Sequence, residues 1–370
     1  KEQSKKRLVL IGAGKTGAKI AREIIDTIES PFKVIGFIDD DLDKQGGRIH
    51  GIQILGTTAE LQSLVIPYDE LLITAPGVTG DDLRRIISAC KSTGKRFKTV
   101  PSLAELIDKD ISMDAIRDVS YLDLLGRDEV KLDMNSIEKL LQGKRVLITG
   151  AGGSIGSELV QQCLPFKPSE IICMDYDEEK IFDIMLIPDS IKANTIIKPV
   201  LGNINQRNQL EKVFNENRPQ IVFHAAAYKH VPIQETHPWT AVRTNVGGTL
   251  GILELSDKYQ SEKFVLVSTD KAVNPVNVMG ATKRLAEILT QSMNSNSKTE
   301  FIAVRFGNVM GSSGSDIPIF EKQIKNGGPV TITHPQMTRY FMSIHEASQL
   351  ILQSGAIGRG GEIILLEMGK

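Results

Sequence analysis

Apolar residues in the first 100 positions form short continuous runs, separated by stretches with helical periodicity. The runs lie at 6–11, 32–38, 71–74 and 96–100, and the helical spacing lies at Ile20, Ile24, Ile25 and Ile28 and at about 81–92. Short apolar runs predict buried strands, whereas apolar positions three or four residues apart predict one face of a helix. This alternation favours a parallel α/β domain, which we place at residues 1–120.

The same pattern begins again near residue 144 and continues further. Strand-like runs lie at 144–149, 170–174, 195–200, 220–224, 263–268 and 301–305, and helices are predicted at 206–217, 240–259 and 281–294. The pattern predicts a doubly wound sheet of six or more strands in a second domain at 143–370, with a small C-terminal part from about residue 307. Residues 121–142 are predicted to link the domains through one helix.

Composition and charge narrow the class of protein. With 370 residues, 41% hydrophobic and 24% charged, the chain has the profile of a soluble protein of two domains. Its net charge of −1 provides no long-range attraction to nucleic acid. No apolar stretch reaches the about 18 residues of a membrane span. Cys90, Cys163 and Cys173 are scattered and lack metal-ligand spacing, which predicts buried thiols of a reducing compartment.

A glycine-rich turn follows the first strand of each predicted domain. Such a turn lets the backbone approach a pyrophosphate, and the next helix offers its N-terminal N–H groups to the anion. The first domain has Gly12-Ala13-Gly14-Lys15-Thr16-Gly17, with Asp39 after the second strand. No catalytic-looking set of residues follows it, so a nucleotide site and a structural or regulatory role both stay open there. The two turns predict two Rossmann-like, doubly wound parallel-sheet domains.

In the second domain, several further features agree with a dinucleotide site. Asp175 ends the second strand, where an acidic residue binds the adenosine ribose, and Asp177 is the alternative. The loop after the third strand would hold the adenine, and small residues after the fourth strand let a dinucleotide lie across the sheet. The predicted cofactor-binding residues are Gly150, Gly152, Gly153, Ser154, Ile155, Gly156, Asp175, Asn203, Ile204, Ala225, Ala226, Ala227, Lys229 and Lys283.

Candidate chemistry lies after the fifth strand. Ser268-Thr269-Asp270-Lys271 places hydroxyl, carboxylate and ammonium groups at a carboxyl strand end, where open α/β sheets bind ligands. Met279-Gly280-Ala281-Thr282-Lys283 follows, where extended short-chain dehydrogenases carry Tyr-x-x-x-Lys. Through these residues and the segments 149–159, 224–232, 304–318 and 328–343, the sequence resembles the bacterial UDP-N-acetylglucosamine 4,6-dehydratases. It is most similar to their long, membrane-anchored, configuration-retaining class, in which methionine replaces the tyrosine.

The resemblance implies an extended short-chain dehydrogenase fold with a small substrate-binding part, and a redox-neutral dehydration with tightly held NAD. Hydride leaves sugar C4 for NAD, C5 is deprotonated as the C6 hydroxyl departs, and the hydride returns to C6. The product would be UDP-2-acetamido-2,6-dideoxy-4-hexulose with the C5 configuration retained. The alternatives are a C5-inverting dehydratase, another NAD-dependent sugar-nucleotide epimerase, or a catalytically silent NAD-binding regulator.

Within that resemblance, residue chemistry assigns the roles. Met279 carries no exchangeable proton, so Thr269 is expected to hydrogen-bond the sugar O4, with Asp270 or Lys271 relaying the proton. We assign Asp270 as the acid at the C6 hydroxyl and Lys271 as the base at C5. The reverse assignment stays open, because a salt bridge between the two would oppose a neutral lysine. Lys283 is expected to hold the nicotinamide ribose.

The remaining polar candidates concern substrate, metal and partners. The candidates for the substrate diphosphate are Asn308, Ser312, Ser315, Arg339 and Arg359. Tyr228 and His230 could touch cofactor or substrate, and Asn245 is expected to be structural. His50, His334 and His345 lack ligand partners at suitable spacing, so no metal is predicted. We expect a UDP-sugar substrate, a homo-oligomer formed through helices 240–259 and 281–294, and a soluble fragment of a protein anchored at the cytoplasmic face of the bacterial inner membrane.

Overall fold

The fold is described from a computed structural model of the chain. The structure describes residues 5–27, 29–78, 80–100, 116–118, 132–192, 195–312, 314–332 and 334–368. The chain divides into two compact units, Lys1–Asp128 and Glu129–Lys370, called here the first and the second unit. Half of the predicted link at 121–142 lies outside the described residues, and its described half contains the helix Met134–Leu141.

The first unit is built on one five-stranded sheet. Its elements are β1 Lys6–Ile11, α1 Lys15–Asp26, β2 Phe32–Ile38, β3 Arg48–Ile49, β4 Ile52–Gln53, β5 Glu70–Ile73, α2 Gly80–Ser92, β6 Arg96–Thr99 and β7 Arg117–Asp118. The strand order is β2-β1-β5-β6-β7, and only β7 runs antiparallel to its neighbour. The winding reverses between β1 and β5, so the carboxyl ends of these two strands open a crevice beside the turn that precedes α1.

The second unit is larger and carries a seven-stranded sheet. Its elements are α3 Met134–Leu141, β8 Arg145–Thr149, α4 Ser154–Cys163, β9 Glu170–Asp175, α5 Glu178–Met185, α6 Asp189–Lys192, β10 Ile196–Leu201, α7 Arg207–Asn217, β11 Ile221–His224, α8 Val231–Thr236, α9 Pro238–Ala241, α10 Thr249–Lys258, β12 Lys263–Val267, α11 Val278–Asn294, β13 Glu300–Arg305, β14 Asn308–Val309, α12 Asp316–Lys325, β15 Phe341–Met342, α13 Ile344–Ile357 and β16 Ile363–Leu365. All seven strands of the main sheet are parallel, in the order β10-β9-β8-β11-β12-β13-β16. The doubly wound fold predicted for this part of the chain is confirmed.

Helices cover both faces of this sheet, which explains why its strands are continuous apolar runs rather than alternating ones. In β8, Val146 and Ile148 belong to one apolar cluster and Leu147 to another. In β12, Val265 faces the first cluster and Phe264 the second. The two clusters hold the sheet rigid and so fix the places where its strands end.

Three features of the sequence have a plain structural outcome. All three cysteines are buried free thiols, and burial raises the pKa of Cys90 and of Cys173 to about 12. Over the described ranges, no helix is both long and apolar enough to cross a membrane. The helix predicted at 240–259 is present, but its part Val242–Gly248 is π-helical and is continuous with α9 before it and α10 after it.

Candidate cofactor and active site

The glycine turn of the second unit joins β8 to α4 at the edge where the parallel strands end, called here the carboxyl edge. Gly150 has a φ of +68°, and a Cβ there would lie 2.7 Å from the Cα of Ala226. A Cβ on Gly156 would lie 2.0 Å from the carbonyl oxygen of Gly150. Ser154 and Ile155 begin α4, and its N-cap, Gly153, makes no side-chain capping hydrogen bond. The first turn of an α-helix has N–H groups without intrahelical acceptors, and at α4 these lie where an anion would bind.

Asp175 is the acidic residue that lies against this turn. Its Oδ2 accepts a hydrogen bond from the Gly152 N–H at 2.9 Å, and its side chain is nearly buried. The carboxylate of Asp177 instead caps α5, 3.3 Å from the Lys180 nitrogen. Because Asp177 is occupied in this way, the structure favours Asp175 of the two candidates.

The predicted adenine side lies next to Asp175. The Gly202 N–H donates to the Asp175 carbonyl at 2.8 Å, which sets the loop containing Asn203 and Ile204 beside the turn. Ile204 is buried against Gly248, where a Cβ would lie 2.7 Å from its Cδ1. Ala225, Ala226 and Ala227 continue from β11 on the other side of the turn. The structure thus brings the glycines, Asp175, Asn203–Ile204 and the three alanines to one crevice.

A buried polar chain supports this crevice from below. The Thr249 hydroxyl donates to the Asn245 carbonyl at 2.7 Å, so it accepts from His224 Nε2 at 2.8 Å. The Nδ1 of His224 must then accept from the Thr149 hydroxyl at 2.6 Å. Burial, with Lys283 nearby, lowers the pKa of His224 to about 3, so the imidazole is neutral. The sequence reasoning did not single out His224; its place at the end of an otherwise apolar strand was the available signal.

Asn245 is structural, as predicted from its place in a helix. It lies in the π-helical stretch and is almost fully buried. Its amide pairs with both backbone polar groups of Tyr228, at 2.8 and 3.0 Å, and donates to the Thr282 hydroxyl at 3.0 Å. Asn245 therefore ties the loop after β11 to α11.

Thr269, Asp270 and Lys271 lie at the carboxyl edge and contact one another. The Thr269 hydroxyl donates to Asp270 Oδ1 at 2.9 Å, and Lys271 Nζ lies 3.1 Å from the same oxygen. Lys271 Nζ also donates to Asn308 Oδ1 at 2.9 Å. Lys271 keeps 31% of its side chain exposed and Asp270 keeps 42%, so this cluster faces open space. The ion pair foreseen from the sequence is formed.

Met279 and Lys283 lie one turn apart on α11, beside this cluster. Met279 is buried and occupies the second position of the helix. Lys283 Nζ donates to the carbonyl of Val267, at the end of β12, at 2.6 Å. Burial lowers the pKa of Lys283 to about 8. A lysine in this state holds its proton less firmly than a surface lysine does.

The predicted diphosphate residues separate into two groups. Ser315 is the N-cap of α12, the Arg339 guanidinium lies 4.0 Å from Asp316, and the Ser312 hydroxyl lies 3.4 Å from Nζ of Lys229, which was predicted to bind the cofactor. These residues and Asn308 follow β11 or β13 at the carboxyl edge. The Ser315 hydroxyl oxygen is buried and has no hydrogen-bond partner among the described residues.

Arg359 does not join this group. It is exposed and precedes β16, and the neighbouring Gly361 N–H donates to Phe301, near the start of β13. Because β13 and β16 are parallel, Arg359 lies at the opposite, amino edge of the sheet. We therefore leave it out of the substrate site. Within the described ranges, no three His, Cys, Asp or Glu side chains are grouped so as to hold a metal ion.

The chain is similar to a known protein family and to several curated proteins. Residues 146–370 match the family described as polysaccharide biosynthesis protein. Over 99% of its length the chain is 42% identical to the capsular polysaccharide biosynthesis protein CapD of Staphylococcus aureus, of which it covers 62%. It is also 34% identical, over 61% of its length, to the inverting UDP-N-acetylglucosamine 4,6-dehydratase of Campylobacter jejuni, of which it covers 67%. The chain spans about three fifths of the curated relatives that match nearly all of it.

A solved structure supports the fold of the second unit. The dTDP-glucose 4,6-dehydratase DesIV of Streptomyces venezuelae, a double mutant with NAD bound, matches 61% of this chain and 76% of its own with a TM-score of 0.54. At 22% identity this likeness shows the fold alone, and it confirms the one predicted. From the family match, the chain belongs to the polysaccharide biosynthesis proteins.

Proposed function

We propose that this protein is an NAD-dependent UDP-N-acetylglucosamine 4,6-dehydratase that retains the configuration at C5. The observation that carries the proposal is the contact among Thr269, Asp270 and Lys271, at the same sheet edge as the glycine turn. Met279 stands where a tyrosine would act as base, so the proton chemistry must come from this cluster. The Campylobacter relative, named as a UDP-N-acetylglucosamine 4,6-dehydratase, supports the substrate and the reaction class.

The residues of the crevice fit NAD. Added Cβ atoms at Gly150 and Gly156 would collide with backbone, so only glycine permits this tight turn, which sets the N-terminus of α4 where a pyrophosphate would lie. Asp175 would meet the adenosine ribose and Lys283 the nicotinamide ribose. When bound, NAD would accept the hydride of sugar C4 and give it back at C6.

The hydrogen-bond direction supports Asp270 as the acceptor of the O4 proton. The Thr269 hydroxyl already donates to Asp270 Oδ1, so a proton from the sugar O4 can pass to the Thr269 oxygen while the Thr269 proton passes to Asp270. Asp270 then holds the proton that the departing C6 hydroxyl requires to leave as water. One carboxyl group serves both steps.

Lys271 is proposed as the base that takes the C5 proton as the C6 hydroxyl leaves. Its Nζ lies 3.1 Å from Asp270 Oδ1 and 2.9 Å from Asn308 Oδ1, so the base and the acid lie side by side. One group can therefore meet C5 while the other meets the hydroxyl on the neighbouring C6.

Retention at C5 follows from the use of a single base. Lys271 takes the proton from one face of the sugar and returns it to the same face. Inversion, as in the Campylobacter relative, would need a second proton donor on the opposite face. Asn308, Ser312, Ser315 and Arg339 are proposed to meet the diphosphate of the substrate, and Lys229, which lies beside Ser312, is proposed to meet the cofactor.

The proposal is tested by incubating the protein with UDP-N-acetylglucosamine in D2O, without added NAD, and following the sugar by proton NMR. We expect a new C6 methyl signal with deuterium at C5, and early coupling constants that report retention. The matched pair Arg339→Ala and Arg359→Ala separates the two sheet edges, because only the first should raise KM. If no methyl forms, even with NAD added, the dehydratase proposal is wrong.

A further inference from the structure

A buried carboxylate joins three elements beneath the reactive cluster. Glu287, on α11, is fully buried. Its Oε1 accepts from the Ser268 hydroxyl at 2.6 Å and from Arg305 Nε at 2.7 Å. Its Oε2 accepts from Arg305 Nη2 at 2.6 Å and from Arg284 Nη1 at 3.1 Å. α11, the loop after β12 and the end of β13 therefore meet at one side chain.

A buried ion pair of this kind is weak evidence of a role in stability. Apolar residues of similar volume often stabilise an interior as well as a buried ion pair or better, because both charges must lose their water. A bidentate arginine pair does, however, fix the relative orientation of the elements that carry it. The geometry therefore points to a role in positioning.

What Glu287 positions is clear from its immediate neighbours. Ser268 directly precedes Thr269, so the Glu287 bond fixes the start of the reactive loop. On the other side, Arg305 precedes Phe306, whose carbonyl accepts from the Asp270 N–H at 2.9 Å. Asn308, which follows on the same segment, accepts from Lys271. The hydrogen bonds that hold Asp270 and Lys271 thus come from the segment that follows Arg305, and Arg305 itself is held by Glu287.

Glu287 also lies one helical turn after Lys283. Its negative charge raises the pKa of Lys283, against the larger lowering by burial. The other titratable groups around Lys283 are the neutral His224 at the end of β11 and the pair Asp270–Lys271 in the loop packed on α11. Glu287 is the carboxylate on the same helix face as Lys283, and Arg284 and Arg305 hold it charged.

We propose that Glu287 is a positioning residue of the dehydratase. It holds the ends of β12 and β13 in the spacing that lets Thr269, Asp270 and Lys271 face the sugar together. This inference rests on the proposed function. One of its consequences, the charge of Lys283, can be measured without turnover.

The test compares Glu287→Gln and Ser268→Ala with Glu300→Gln as a matched control. Glu300 pairs with Lys263 at the amino edge, away from the reactive cluster. For Glu287→Gln we expect kcat to fall about 100-fold, the loss typical of a misplaced reacting group, while KM changes little. For Ser268→Ala we expect a fall of about 10-fold, and for Glu300→Gln no change in kcat.

A second measurement reports on the charge of Lys283 without turnover. NAD affinity is determined from pH 6 to pH 10 by quenching of protein fluorescence, with no sugar present. Affinity should decline at high pH as Lys283 loses its proton, and in Glu287→Gln this decline should move to lower pH. Ser268→Ala should leave it in place, because the Glu287 charge remains.

The outcomes are separable. An absent product in the wild type would end the proposed function and would leave the NAD measurement valid. A folded Glu287→Gln protein with unchanged kcat and an unchanged NAD profile overturns the inference. If Glu287→Gln fails to fold, the smaller variant decides: Ser268→Ala with wild-type kcat overturns the positioning role.

Discussion

The two units of this protein share the same glycine-rich turn between the first strand of the sheet and the helix that follows, with an acidic residue bonded to the turn. In the first unit the Ala13 N–H donates to Asp39 Oδ2 at 2.6 Å, and in the second the Gly152 N–H donates to Asp175 Oδ2 at 2.9 Å. A Cβ on the last glycine of each turn, Gly17 or Gly156, would lie 2.1 or 2.0 Å from a turn carbonyl. Strand, turn, helix and acidic residue are thus matched almost atom for atom.

The two units differ in the side chains that lie around this turn and its acidic residue. Lys44 Nζ lies 3.2 Å from Asp39, whereas Asp175 has no ion-pair partner within the described ranges. Thr74, directly after β5, donates its hydroxyl to the turn itself. In the second unit the corresponding strand is β11, which is followed by alanines, and Thr269, Asp270 and Lys271 follow β12 beside it. A glycine turn is therefore first of all a way to join a strand to a helix. Chemistry needs reactive side chains at the neighbouring strand ends.

The largest expected effect separates the units by chemistry. Lys271→Met should lower kcat about 1000-fold, because it removes the base at C5, while the amount of bound NAD stays unchanged. Lys15→Met changes a lysine in the turn of the first unit and should leave kcat as it is. Steady-state NMR rates and the absorbance of released cofactor measure both. Equal losses in the two variants would remove the distinction between the units.

A backbone change should affect cofactor binding in the second unit alone. Gly156→Ala forces a methyl group onto the Gly150 carbonyl, and overpacking of this kind costs about 1–3 kcal/mol. We expect bound NAD to fall by about 10- to 100-fold in affinity. Gly17→Ala meets an equally close carbonyl, so its strain is matched. It should lower the thermal stability of the first unit and leave NAD bound.

The acidic residues give a smaller effect. Asp175→Asn weakens a charged hydrogen-bond acceptor for the ribose and should reduce NAD affinity about 10-fold. Asp39→Asn should not change NAD affinity. Calorimetric titration with NAD measures both, and a loss of affinity in Asp39→Asn would mean that the first unit takes part in holding the cofactor.

The last prediction concerns stability towards acid instead of activity or cofactor binding. Folding keeps His224 neutral down to a pKa of about 3, while the unfolded chain takes up a proton near its ordinary value. The free energy of unfolding should therefore fall as the pH drops below about 6.5, by up to about 1.4 kcal/mol per pH unit from this group. Urea titrations of His224→Gln should show a shallower decline. The exposed His237→Gln should keep the wild-type slope.

Much of this fold was predictable because buried parallel strands leave continuous apolar runs in the sequence. β1 and β2 begin and end where their runs do. The π-helical stretch at Val242–Gly248 was not predictable, because one wider turn barely changes the apolar period. Asn245 lies within this stretch and contacts Tyr228 and Thr282, which are distant in the sequence, and the apolar pattern gives no sign of these contacts.

The candidate site was predictable where it follows strand ends. Thr269–Lys271 and Asp175 lie at the carboxyl edge because parallel strands all end there. Arg359 lies at the opposite, amino edge because its loop leads into β16, which runs parallel to β13. The position of Arg359 in the sequence did not show that a further parallel strand follows it. Glu287 was not predicted because its position in the sequence of α11 is typical of a charged residue on a helix surface. Only the fold shows that it is buried and paired with Arg284 and Arg305.

The buried thiols allow the unfolding of each unit to be followed by chemical labelling. Cys90 lies in the first unit, and Cys163 and Cys173 lie in the second. An alkylating reagent reacts with thiolate, so burial and a raised pKa protect all three until the surrounding structure opens. Mass spectrometry of peptides after brief labelling would then date the opening of each unit separately, without any engineered probe.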